Sequence, residues 1–150
     1  AEKLTGQYNQ AASQADKDRI RQQMNDADRD FLANQKFEEA LKFYYAKNYQ
    51  ESIKLNTEAL QLKPNDAEAY NNRGVAYYDL GQHKPAVDDY NKAIELNPNY
   101  AEAYNNRGEV YRHFGQYELA LKDFDKVLEL NPNNTKAKNN RERCLKTMSK

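Results

Sequence analysis

The sequence predicts an all-α fold, a solenoid of helix–turn–helix repeats, and three observations carry that prediction. The stretch Ala67-Glu68-Ala69-Tyr70-Asn71-Asn72-Arg73-Gly74 returns unchanged at Ala101 to Gly108, 34 residues later. The likeness continues downstream at the same interval, pairing Tyr77 with Tyr111, Gly81 with Gly115, Ala86 with Ala120, Tyr90 with Phe124 and Leu96 with Leu130. Pro64, Pro98 and Pro132 fall at that interval too, so each unit closes on a proline. A period of this length suits a helix pair that buries its apolar face only against its neighbours.

Taken in order, residues 1–32 stand outside the repeat and read as a polar helix starting after Gly6. Tyr8, Ala11, Ala15, Ile20, Met24, Ala27 and Phe31 recur there at helical spacing, with a five-residue step after Ala15 that shifts the stripe. Asn25 or Asp26 is the best cap for a new helix. Residues 33–66 form a divergent first repeat, with Ala40, Phe43, Ser52 and Ala59 at the packing positions but Lys36 and Asn56 where later units have aromatics. Residues 67–100 and 101–134 are the full repeats. Asn65 and Asn99 are the expected caps of their first helices, with Glu68 and Glu102 reaching back. Gly81 and Gly115 end those helices, where a positive backbone angle is easily adopted. Pro85 fits the first turn of a second helix, where its missing N–H costs nothing. Residues 135–150 begin a fourth unit with Ala137, Asn139, Asn140 and Arg141, never reach a second helix, and read as a capping helix.

Composition narrows function. The formal net charge is zero, so no global basic field recruits nucleic acid; only residues 135–150, at +5, are basic. Twelve tyrosines and no tryptophan suit a thin core whose rings keep a wet edge. The lone Cys144 excludes an internal disulfide and is expected as a small buried hydrophobe. No apolar run approaches the roughly 20 residues of a membrane span. The compartment is open between cytoplasm and export, and Ala1 in place of methionine leans the reading slightly towards export.

These residues resemble the tetratricopeptide repeat. An aromatic at position eleven, small residues at eight and twenty, and proline at thirty-two match it across three repeats, residues 33–134, with the position-four aromatic in the two full ones, and the match runs into the cap. The resemblance implies a right-handed α–α superhelix. This chain departs at position seven, where the family usually has leucine and Arg73, Arg107 and Arg141 stand instead. Asp89 and Asp123 at position twenty-three predict Arg73–Asp89 and Arg107–Asp123 pairs within each repeat, at about 0–1 kcal/mol each if partly exposed.

No catalytic constellation is present. His83 and His113 lack metal spacing and read as surface or packing residues, and no glycine-rich phosphate loop occurs, so neither catalytic residues, metal nor cofactor is expected. Recognition remains. The resemblance implies a concave groove lined by the first helices, and it places Asn71, Asn105 and Asn139 at position five and Asn72, Asn106 and Asn140 at position six. An amide offers two donors and an acceptor, so such a ladder suits an extended peptide's main chain. Tyr44, Tyr78, Arg112 and Arg143 grade the groove from aromatic to basic, which suits an apolar anchor followed by acidic residues. Members that grip chaperone tails use lysine, asparagine, asparagine, lysine and arginine where this chain has Phe37, Leu41, Asn72, Glu102 and Asn106, which argues against that subclass. The expected function is a non-catalytic module that binds a protein or peptide segment. The alternative is a scaffold that self-assembles into a homo-oligomer through residues 1–32.

Overall fold

The computed structural model describes residues 2–150. Its elements are α1 (Glu2–Gln10), α2 (Gln14–Gln23), α3 (Asp26–Tyr45), α4 (Tyr49–Leu62), α5 (Ala67–Asp79), α6 (His83–Leu96), α7 (Ala101–His113), α8 (Tyr117–Leu130) and α9 (Thr135–Met148), with no strand among the described residues. The chain forms two compact units, one ending at Asn65 and the other running from Asp66 to Lys150. No helix among the described residues is long and apolar enough to cross a membrane. The question of a mature terminus at Ala1 lies outside the described residues.

The first unit corrects the expectation of one polar helix after Gly6. Gly6 lies inside α1, and the chain breaks before Ser13, whose extended backbone (φ −119°) lets its hydroxyl accept from the Asp16 N–H at 3.1 Å. A serine N-cap makes Ser13 a better start for a new helix than a link in a glutamine- and alanine-rich continuation. The break resets the helical phase. Tyr8, Ile20 and Met24 are buried together with Leu32, Ala33 and Leu62, whereas Ala15 and Ala27 are exposed and Phe31 is 57% exposed. Asn25 caps α3 as expected, accepting from the Asp28 N–H at 2.8 Å. The following helix is 20 residues long and crosses the expected boundary at residue 33 without interruption. At the turn into α4, Lys47 takes a left-handed φ of 62°.

A buried charge cluster joins α2 to the α3–α4 hairpin. Glu58, 7% exposed, receives the Lys17 ammonium at 3.1 Å and the Lys36 ammonium at 3.2 Å, and both cations lie over the Tyr8 ring. Burial, then the Glu58 charge, pushes the Tyr8 phenol up to about 12. Burial alone would raise the Glu58 carboxyl, but the two lysines outweigh it and hold the group below its ordinary value of 4.5. A depressed folded value makes the contribution to stability full above pH 4.5 and lost as pH falls through the folded value. Glu58→Gln is therefore expected to flatten the acid limb of the stability–pH curve, as urea titrations at a series of pH values would record; an unchanged limb would reject the assignment.

The second unit is two helical hairpins, α5–α6 and α7–α8, followed by α9. Gly81 (φ 87°) and Gly115 (φ 75°) supply the left-handed residue at each hairpin turn. Pro85 is the third residue of α6, and Pro98 and Pro132 follow the ends of α6 and α8. The caps differ from expectation. Asp66, not Asn65, accepts from the Glu68 and Ala69 N–H groups at 3.0 and 3.2 Å, because a carboxylate one residue nearer the helix reaches both. Tyr100 precedes α7 with no side-chain cap, while Asn99 donates its N–H to Asn97 Oδ1 at 3.2 Å in the turn.

Small residues bring each hairpin's helices together. A Cβ on Gly74 would stand 2.7 Å from the Tyr90 ring, and one on Gly108 would stand 2.6 Å from the Phe124 ring. The arginine pairs form as expected and are deeper than expected. Arg73 binds Asp89 at 2.7 and 2.8 Å and Arg107 binds Asp123 at 2.6 and 2.9 Å, with the aspartate side chains only 6% and 4% exposed. Each guanidinium is also flanked by two tyrosine rings, Tyr70 and Tyr77 at 5.5 and 5.9 Å, or Tyr104 and Tyr111 at 5.6 and 5.8 Å. Arginine at position seven thus fills an apolar slot with its flat face and satisfies its donors on aspartate.

Candidate peptide-binding face

The asparagines separate by depth. Asn71 and Asn105 are 0% and 3% exposed, whereas Asn72 and Asn106 are half-buried; on α9 the order inverts, with Asn139 exposed and Asn140 5% exposed. Asn106 Nδ2 donates to Asn71 Oδ1 at 3.0 Å, joining α7 to α5. Asn140 and Asn105 stand in the same relation one unit later, and there the buried Nδ2 and Oδ1 both lack a hydrogen-bond partner. Asn71, Asn105 and Asn140 are therefore not the free groove residues expected from sequence. All three are buried, and in the one bond that forms Asn71 Oδ1 accepts from Asn106 of the next repeat's first helix rather than from a ligand. Of the row, Asn72 is half-buried and Asn139 exposed, while the half-buried Asn106 already gives one amide N–H to Asn71.

The graded charge also changes. Arg112 is half-buried and forks onto Glu109 of its own helix, Nε to Oε1 at 3.1 Å and NH2 to Oε2 at 3.2 Å, so its charge is neutralised locally. Arg143 is exposed on α9. Tyr78 is half-buried, and burial, then the Glu109 carboxylate, pushes its phenol up. In the first unit Tyr44 packs edge-on to Tyr45 and tilted against Tyr49, both at 5.5 Å, with Tyr45 78% exposed. The α1–α2 core around Tyr8 does not include these rings. Cys144 is fully buried beside Ala120 and Phe124, and burial pushes its thiol up, in keeping with the packing role expected of it.

Two features escaped the sequence reading. Tyr100 lies beside Asn71, its phenol pushed up first by burial and then by Glu102 and Glu68. The two histidines meet across a repeat boundary, His83 and His113 with ring centres 5.6 Å apart, joined by Tyr78 and Phe114. They are 30 residues apart in sequence, so local spacing does not reveal them; their places in the 34-residue frame would have.

Residues 67–100 and 101–134 each match the tetratricopeptide repeat family, and residues 40–81 match the TPR repeat. The chain belongs to the tetratricopeptide repeat family. Among solved structures, it is similar to the first TPR of Spaghetti (RPAP3) bound to an HSP90 peptide, SRMEEVD, at 31% identity over 79% of this chain and 94% of that one, with a TM-score of 0.76. The Arabidopsis OM64 TPR domain is similar at 29% identity, over 77% and 95%, with a TM-score of 0.75. The TPR2B domain of yeast Sti1, in a complex with Hsp70, is similar at 25% identity, over 77% and 97%, with a TM-score of 0.72. In this tetratricopeptide repeat protein the acidic Glu102 is exposed and Phe37 and Leu41 are half-buried. These are not the cations that a carboxylate tail requires.

Proposed function

We propose that this tetratricopeptide repeat protein is a non-catalytic interaction module that holds an extended partner segment along the asparagine-bearing face of α5 and α7. What carries the reading is the repeated position-six amide: Asn72 and Asn106 are half-buried on successive first helices, in a fold whose similar structures hold peptides. Rigid helix pairs orient those amides before the partner arrives, which lowers the entropy cost of ordering them on binding. Main-chain recognition of this kind needs no charged terminus on the partner, consistent with glutamate at position two in both full repeats.

Self-assembly through residues 1–32 has less to draw on. Tyr8, Ile20 and Met24, the residues that would dock on another copy, are already buried within their own chain, and Lys17 is already paired with Glu58.

The test uses peptides selected from a random display library on the full chain. Asn72→Ala is expected to weaken their binding while helicity and melting temperature hold. Asn106→Ala is expected to weaken binding and also lower stability, because it strips the Asn71 acceptor of its donor. Unchanged affinity in both variants would overturn the reading.

A further inference from the structure

His83 and His113 are the only histidines in the chain, and the fold places both in one cluster. His83 is the first residue of α6 and His113 the last of α7. Tyr78 contacts the two imidazoles at 5.1 and 6.4 Å and Phe114 contacts them at 4.7 and 5.5 Å, so four rings hold one another in place. His83 is half-buried and His113 exposed, which leaves the pair open to solvent.

Two imidazoles that share one ion through nitrogens at about 2.0–2.1 Å set their ring centres roughly 4.5–6.4 Å apart, according to the angle at the metal. The observed 5.6 Å falls in that range. We propose that His83 and His113 form a two-imidazole site for a divalent late transition-metal ion, copper(II) foremost, bridging the start of α6 and the end of α7. Among the described residues no group of three or more His, Cys, Asp or Glu could hold a metal, so water completes the coordination shell. Copper(II) accepts a mixed nitrogen and water set of this kind, and it stands highest in the affinity order of the divalent series. The flanking rings restrict both imidazoles beforehand, so less side-chain freedom is lost on ligation. An ion here would tie the second repeat to the third at their turn ends.

The experiment is titration of copper(II) chloride into the full chain in a non-coordinating buffer, read by equilibrium dialysis and by electron paramagnetic resonance. The expected result is one copper per chain, reversed by a chelator, with superhyperfine splitting from imidazole nitrogens and a melting temperature that rises with copper concentration. His83→Phe and His113→Phe keep a ring in the cluster and are expected to abolish that spectrum while circular dichroism stays unchanged. Copper held with equal affinity in both variants, or a spectrum without imidazole nitrogen, would overturn the site, as would no binding at all. The His83→Gln and His113→Gln variants repeat the comparison without an aromatic replacement, so a fold defect from either phenylalanine is recognised.

Discussion

Replacing Arg107 with methionine is expected to lower the unfolding free energy by about 3–5 kcal/mol, the range for stripping one partner from a buried ion pair. The Asp123 side chain is 4% exposed and takes two hydrogen bonds from Arg107, whose third nitrogen donates to Asn91 at 2.8 Å. Methionine fills the slot between Tyr104 and Tyr111 but leaves the carboxylate with neither water nor cation. Burial already holds the Asp123 carboxyl above its ordinary 3.8, with Arg107 pulling the other way. Removing Arg107 raises that value further, so the penalty is full above the new folded value and shrinks as pH falls towards 3.8, where protonation relieves the buried charge. Denaturant titrations near neutral and acid pH would record both effects. Arg107→Met combined with Asp123→Leu is expected to recover most of the loss, because an apolar pair of similar volume has no charge to desolvate. A single variant that loses under about 1 kcal/mol would return the pair to the exposed class.

Phe124→Ala is expected to cost about 3–5 kcal/mol, the usual range for emptying a buried aromatic site. The ring is fully buried, packs with Ala120 and Cys144, and presses its edge onto the bare backbone of Gly108. The site cannot readily collapse, because α7 already approaches as closely as glycine permits. Gly108→Ala puts a methyl 2.6 Å from the ring and forces the phenylalanine to move. Gly108→Ala with Phe124→Leu should be more stable than Gly108→Ala alone, with a coupling of about 0.5–3 kcal/mol for residues in direct contact. Thermal and denaturant unfolding of the four proteins in this cycle would measure it; additive losses would mean the contact does not set the helix spacing.

Relations within one repeat were legible in the sequence. The helix pairs, the glycine turns and both Arg–Asp pairs link positions of a single 34-residue unit, and duplication printed each of them twice. What was not legible depends on depth or on phase. The ion pairs are deeper than expected because the charge pattern does not say how far the aspartates sink beneath the surface. Asn71 and Asn105 seemed open because helical spacing gives the face of a side chain but not the distance to the next repeat's helix. The break at Ser13 was missed because a serine cap competes only marginally with a continuing helix, and the stripe of Ala15, Ala27 and Phe31 failed with it. Tyr44, Tyr78, Arg112 and Arg143 make a graded row by position alone, but the Glu109 fork cancels the charge of Arg112.

The contacts that hold the second unit together also bear on how quickly it can be reached from an unfolded chain. Arg73 meets Asp89, and Arg107 meets Asp123, across 16 residues, and Asn106 reaches Asn71 across 35. Loop-closure entropy grows only logarithmically, by about 0.6 kcal/mol per doubling of length, so the link between repeats is barely harder to close than the link within one. With no partner distant along the chain to wait for, either hairpin can serve as the nucleus, and the other adds to it. Duplicating a unit lengthens such a protein without lengthening its search.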